Sequence, residues 1–361
     1  MNMFDAVASD HDFYHSGGVL PVNGHLSSLG QEVFVNDSGE ITGSSQHSGT
    51  TSGFSTGNAA STSTPVPTLV AKNGSNFEID LVWDQSISNA PSGFEAAVIA
   101  AAQAYVQDMT SLSKVIIYIN VGWGEINGTH LAANALGESE SYGYLTNYST
   151  IVGALEGNGD TSQMFSATNE PINAQFFVTS AQAKALGLVP GTSGSISSVD
   201  GYIGFSTLSG TGDTWNFGTS GTGNNQFNME SVVAHEVSEV MGRISMEGSV
   251  TYNGKVTYTP LDLFIFSGKG HLELSGNGGY FSNNDGISQS GNYNNAMVNG
   301  GDIADWASNF SVTQSNTVTA GQEDAYDAFD APGYNGVVSP DDLIEMSDLG
   351  YGVRSTNPIP V

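Results

Sequence analysis

Apolar and polar positions alternate along Phe77-Glu-Ile-Asp-Leu-Val-Trp83, the pattern of a half-buried strand. Ser92 to Asp108 is Ala-rich and apolar nearly all round, which predicts a buried helix capped by Ser92. Val115 to Val121 reads as a fully buried strand, Gly201 to Phe205 as another, and Ser180 to Leu186 as a short helix. Residues 125–198 otherwise form a polar region of mixed signals. Asn228 to Arg243 predicts the second long helix. From about Gly248 the chain is loop-dominated until a marked final helix, with Ser339 as cap, Pro340 in the first turn, Asp342 completing a capping-box pattern and Gly350 as the stop. The order strand, helix, strand, strand, helix predicts an α/β or α+β half whose sheet is backed by two helices.

The N-terminal stretch has a different texture. Short apolar runs at Val19–Val22 and Val33–Val35 predict one or two short strands, and Ser38 to Thr64 holds 19 Ser, Thr or Gly in 27 residues. A strand-bearing segment of this kind suits strand addition to a neighbour's sheet, hence self-assembly through residues 1–69. Gly53-Phe-Ser-Thr-Gly57 matches the nucleophile-elbow pattern but lacks a preceding strand and a following helix.

Composition narrows the partners. Seven Lys+Arg against 36 Asp+Glu give a formal charge of −29, which argues against nucleic acid and anionic membranes as partners. The absence of Cys removes disulfides, thiolate zinc sites and Cys nucleophiles. No basic start with an apolar core is visible near Met1, and the most apolar stretch, Ala96 to Val106, is shorter than a membrane span. A soluble extracellular or cell-surface protein, exported without a cleaved leader, is the compositional expectation.

The most specific chemistry lies on the second long helix. At 100° per residue Val233, Val237, Val240 and Ile244 share one stripe, while His235, Glu239 and Gly242 fall nearly opposite. One turn separates His235 from Glu239, the spacing that two ligands of one metal require. Glu236 leans toward the metal's open position, where it can act as general base on a metal-activated water. A solvated helix face is the alternative for the same residues.

This order of elements resembles the zincin fold, and the metzincin branch most. Along the metzincin pattern HExxHxxGxxH the chain places His235, Glu236, Glu239, Gly242 and Ser245. First His, catalytic Glu and Gly match; the second ligand is Glu, and Ser245 stands where a third ligand belongs. Pro260-Leu-Asp-Leu-Phe264, Gly301-Asp-Ile-Ala-Asp-Trp306 and Asp342-Leu with Leu349-Gly-Tyr351 extend the likeness to a bacterial group of metalloprotease-like proteins. The resemblance implies an α+β, zincin-like domain over 70–352, with a twisted mixed sheet and two main helices. It divides into an N-terminal subdomain, 70–247, carrying the active-site helix, and a loop-rich C-terminal subdomain, 248–352. Residues 1–69 are an extension and 353–361 a tail.

Asp262, in an apolar setting, is the first candidate for a third ligand; a strand-end Asp or a salt bridge to Arg243 explains it equally. His271 is the runner-up, and His130 is expected to bond locally. Zinc is the expected metal. Manganese or calcium suits a site of one His and two carboxylates, and the Asn/Asp-rich loops at 277–285 and 299–305 are further calcium candidates. The implied function is a secreted metal-dependent peptidase acting on peptides or proteins. The alternative is an extracellular structural or filament-forming protein on a degenerate zincin scaffold. Arg243, one of two arginines, bears on that choice through its partner.

Overall fold

A computed structural model describes residues 29, 31–36, 41–45, 68–71, 75–132, 134–158, 165–247, 250–299, 301–307, 322–355 and 357–361. The run Val19–Val22, the Gly53–Gly57 pattern, most of the Ser/Gly/Thr-rich tract and His11, His15, His25 and His47 lie outside them. The architecture is α+β with a mixed sheet.

Ten strands form the main sheet. They include β1 (Glu32–Asn36), β2 (Ile41–Ser45), β3 (Thr68–Ala71), β4 (Phe77–Trp83), β5 (Val115–Trp123) and β6 (Gly137–Asn147). β7 (Gln175–Thr179), β8 (Gly201–Phe205), β9 (Val250–Tyr252) and β10 (Lys255–Tyr258) complete it. β4, β5 and β8 run parallel, with β5 in the middle; β3 and β6 flank them antiparallel. β6 pairs through Gly137–Ser141 with β8, through Gly143–Asn147 with β7, and through Glu140–Tyr144 with β1. The strand seen in Val33–Val35 therefore adds to the sheet of its own chain.

β5 differs from its expectation. Its odd positions Val115, Ile117, Ile119 and Val121 are fully buried, but Ile116, Tyr118 and Asn120 are only half-buried. The two long helices, α1 (Phe94–Asp108) and α4 (Met229–Val240), pack on each other. Near Tyr118 the short helix α3 (Ser180–Ala185) contributes the Lys184 ammonium, 5.4 Å from the ring centroid. That ammonium is buried and paired with Asp200 at 2.6 Å, the partner a cation removed from water needs. α1 begins one residue later than Ser92 suggests. Gly93 precedes its first residue with φ +102°, so no side chain caps it.

The polar region of mixed signals contains β6 and the helix α2 (Tyr148–Asn158). Glu, Ser and Tyr alternate along β6 so that Ser139, Ser141, Gly143 and Leu145 are buried. Small residues hid the strand, and they are what let α4 lie close. A Cβ on Gly137 would sit 2.4 Å from Glu236 Oε1, and one on Gly201 2.8 Å from Val240.

The C-terminal half packs on the same core. Its parallel pair β11 (Gln322–Asp324) and β12 (Asn335–Val338) lies beside α4, and α5 (Pro340–Asp348) follows β12. α5 has the expected capping box: Ser339 Oγ accepts from the Asp342 amide at 3.3 Å, and Asp342 Oδ2 from the Ser339 amide at 2.7 Å. Asp342 Oδ1 also accepts from Trp306 Nε1 at 2.6 Å, which ties this helix to the segment bearing Asp305. Among the described residues no helix is long and apolar enough to cross a membrane.

Candidate metal centre

α4 starts at Asn228, whose side chain accepts from the Ser231 amide at 3.0 Å. It ends at Gly242, where φ is +113° and a Cβ would meet Gln182 Oε1 at 2.8 Å. This left-handed residue turns the chain back, so that Arg243 Nε reaches Ser238 Oγ on the same helix at 2.6 Å. The glycine thus folds Arg243 beneath the polar face of α4.

That face carries the site. His235 Nε2 lies 3.3 Å from Glu239 Oε1 and 3.3 Å from Asp305 Oδ1. Among the described residues, these three form the one group of three or more His, Asp or Glu side chains whose ligand atoms all lie within 4.8 Å. His235 Nδ1 faces the Ala325 carbonyl at 2.9 Å. A carbonyl has no proton to give, so Nδ1 carries the hydrogen and Nε2 is aimed at the carboxylates.

Arg243 completes the network. Its guanidinium is fully buried, donates through Nη1 to Asp305 Oδ1 at 2.5 Å and to Ala304 O at 3.2 Å, and lies 3.5 Å from Glu239 Oε1 through Nη2. It stacks over Tyr326, 4.4 Å from the ring centroid. Arg243 pairs tightly with Asp305 and loosely with Glu239. Tyr105 of α1 donates to the Ala234 carbonyl at 2.8 Å and meets Tyr326 Oη at 2.8 Å, so the long helix, α4 and the C-terminal segment converge behind the site.

Burial lowers the proton affinity of His235, but the carboxylates of Asp305 and Glu239 outweigh both burial and Arg243 and hold its pKa well above the ordinary value. Burial raises that of Asp305, yet His235 and Arg243 overcome it and hold the carboxyl below the usual range.

Asp305, not Asp262, is the third member. Asp262 has its oxygens occupied elsewhere: Oδ1 by the Ser245 hydroxyl, and Oδ2 by the amides of Met246, Glu247 and Thr259 at 3.3, 3.2 and 2.7 Å. It fastens the turn after α4, and Ser245 serves that fastening. The anticipated bridge from Asp262 to Arg243 is replaced by these contacts. His271 is exposed on a short strand, and His130 is exposed with Nδ1 3.3 Å from the Gly124 carbonyl. Asp305 had the same signal that singled out Asp262, an acid set between apolar neighbours, here Ala304 and Trp306.

The turn fastened by Asp262 carries a titration signature. Burial, then the charges of Asp262 and Glu273, push Glu247 up to about 9. The folded chain therefore holds a proton there that the unfolded chain has released above its ordinary value of 4.5. Stability from this group is present below that value and is lost as pH rises toward 9, by at most ~1.4 kcal/mol per pH unit. Glu247→Gln is expected to melt near the wild type at pH ~4.5 and several degrees above it at pH ~8.5. Parallel melting curves at the two pH values check this; a constant gap contradicts it.

The His235 group lies in a cleft of about 760 Å³ lined also by Glu236, by Gly137–Glu140 of β6 and by Asn36 of β1. Glu236 is 5% exposed and packs against Gly137. No protein-family model, curated protein or solved structure matches this chain.

Proposed function

We propose that the protein is a metal-dependent peptidase with a zincin-like active site. The observation that carries this reading is the convergence of His235, Glu239 and Asp305 on the floor of an open cleft, with Glu236 on its wall. The donor set fits a divalent ion. One imidazole nitrogen and two carboxylates suit zinc or manganese better than calcium, which takes 6–8 oxygens. Glu239 Oε2 is buried and accepts no hydrogen bond among the described residues, so a donor there has spare capacity. Bound in this group, the metal would supply Lewis acidity toward a peptide carbonyl and toward water.

The chain's own residues do the rest. The Ala325 carbonyl fixes the ring of His235, and Arg243 holds the carboxylates of Asp305 and Glu239 in place. Glu236 takes the proton of the attacking water and hands it to the leaving amine. β6 offers an extended backbone beside the cleft, against which a peptide in strand conformation can lie. The Ser/Thr/Gly-rich, Lys-poor and acidic composition is what suggests an extracellular setting.

Metal analysis decides the matter. The full chain equilibrated with zinc or manganese and desalted should retain about one equivalent, and Asp305→Asn should lose at least tenfold in affinity. Full retention by Asp305→Asn would remove Asp305 from the donor set. Retention of none by the wild type would favour the second reading, a non-catalytic surface protein in which Arg243 is the resident cation. The 2.5 Å bond from Arg243 to Asp305 is what favours it.

A further inference from the structure

Acid is common in this chain, one residue in ten, but it is concentrated in the cleft. Eight of the 23 lining residues are Asp or Glu, and none is Lys or Arg. Setting aside Glu239, Asp305 and Glu236 leaves five that the proposed chemistry does not use: Glu138, Glu140, Asp302, Asp327 and Asp330. Some have local work. Glu138 accepts from the Ala132 amide at 2.5 Å and Glu140 from Asn127 at 2.9 Å. Asp327 is different. It is only 9% exposed, and its Oδ1 is buried and accepts no hydrogen bond among the described residues. Burial, then the charges of Asp324, Asp330 and Asp305, push the carboxyl of Asp327 up to about 9, so the unliganded cleft holds it neutral with Oδ1 unmet. A cationic donor entering the cleft would meet that oxygen and favour its ionised form. The resident cations are taken: His235, the positive neighbour of Asp327, faces Asp305 and Glu239 at 3.3 Å each, and Arg243 is fully buried and committed to the same two acids. A low-dielectric cleft of one sign also focuses its field on an incoming ligand of the other.

We infer that the cleft selects its peptide by a lysine or arginine side chain, whose cationic head is received by Asp327. This rests on the peptidase reading for the identity of the ligand. The aliphatic stem of such a side chain can lie along the apolar part of the lining, to which Phe227 contributes, while its head reaches the carboxylate. The other four acids supply the surrounding field, and Asp327 supplies the directed contact.

The test is a pair of fluorescent peptides, identical except that one carries lysine where the other carries norleucine. Binding to the full-length Glu236→Gln chain is read by anisotropy, which needs no turnover. The lysine peptide should bind about tenfold tighter. Asp327→Asn in the same background should shrink that ratio below about threefold with the norleucine peptide unaffected. Glu156→Gln, an exposed position on α2 with the same change of charge, should leave the ratio intact. Equal binding of the two peptides overturns the inference, and so does a preference that Asp327→Asn leaves whole or that Glu156→Gln removes equally. Should Asp327→Asn melt well below the parent, salt decides: the ratio should fall severalfold between about 50 and 500 mM, and a salt-independent ratio overturns the inference. Cleavage of the same pair by the wild type keeps the two readings apart. Cleavage with equal binding sinks only the lysine preference, and tenfold tighter binding without cleavage sinks only the peptidase.

Discussion

Replacing Arg243 with methionine should lower the stability of the fold by about 3–5 kcal/mol, the range for stripping one partner from a buried ion pair. The guanidinium is fully buried, and its removal leaves Asp305 and Glu239 facing each other with only His235 between them. It also removes the donors to Ala304 O and Ser238 Oγ and the stack on Tyr326. Lysine is no substitute. Its single ammonium cannot reach Asp305, Ala304 and Ser238 together, nor stack as a plane on a ring, so Arg243→Lys should recover less than half of the loss. Chemical denaturation at neutral pH measures both variants. A methionine variant within ~1 kcal/mol of the wild type would show that the network is dispensable. Divalent metal makes the test sharper: with the resident cation gone, added zinc or manganese should restore several degrees of melting temperature to the methionine variant, and more than it adds to the wild type.

Replacing Glu236 with glutamine should leave metal content and melting temperature nearly unchanged while peptide cleavage falls by about 10²–10⁴. The amide keeps the shape that packs against Gly137 but cannot accept a proton at neutral pH. Mass spectrometry of a peptide mixture, with and without chelator, reads the loss. Cleavage that survives in Glu236→Gln would take the general-base role away from Glu236; cleavage that also survives chelation would remove the metal from the reaction.

Much of this site was legible on one helix. The stripe Val233, Val237, Val240 and Ile244 does face the core, and His235 and Glu239 do meet at one turn's spacing. Strands at Phe77–Trp83 and Gly201–Phe205 and the capped final helix follow from local patterning alone. What patterning could not supply was long-range pairing. Asp262 and Asp305 have equivalent neighbourhoods along the chain, and only the turn at Gly242 and the Trp306–Asp342 bond decide which one faces His235. β6 was obscured for another reason. Its inward positions ahead of Leu145 are Ser139, Ser141 and Gly143, small residues that carry no hydrophobic signal.

The convergence behind the site has a consequence for the order in which the chain matures. His235 and Glu239 leave the ribosome well before Asp305, and Ala325, which fixes the imidazole, follows later still. Until that last stretch docks against Tyr105 and α4, the donor set is two residues on one helix with no buried floor. Contacts this distant in sequence form late, because loop closure must precede them. The nascent chain therefore carries His235, Glu236 and Glu239 long before Asp305 and Ala325 can join them, and the proposed metal-binding group is assembled only with completion of the fold.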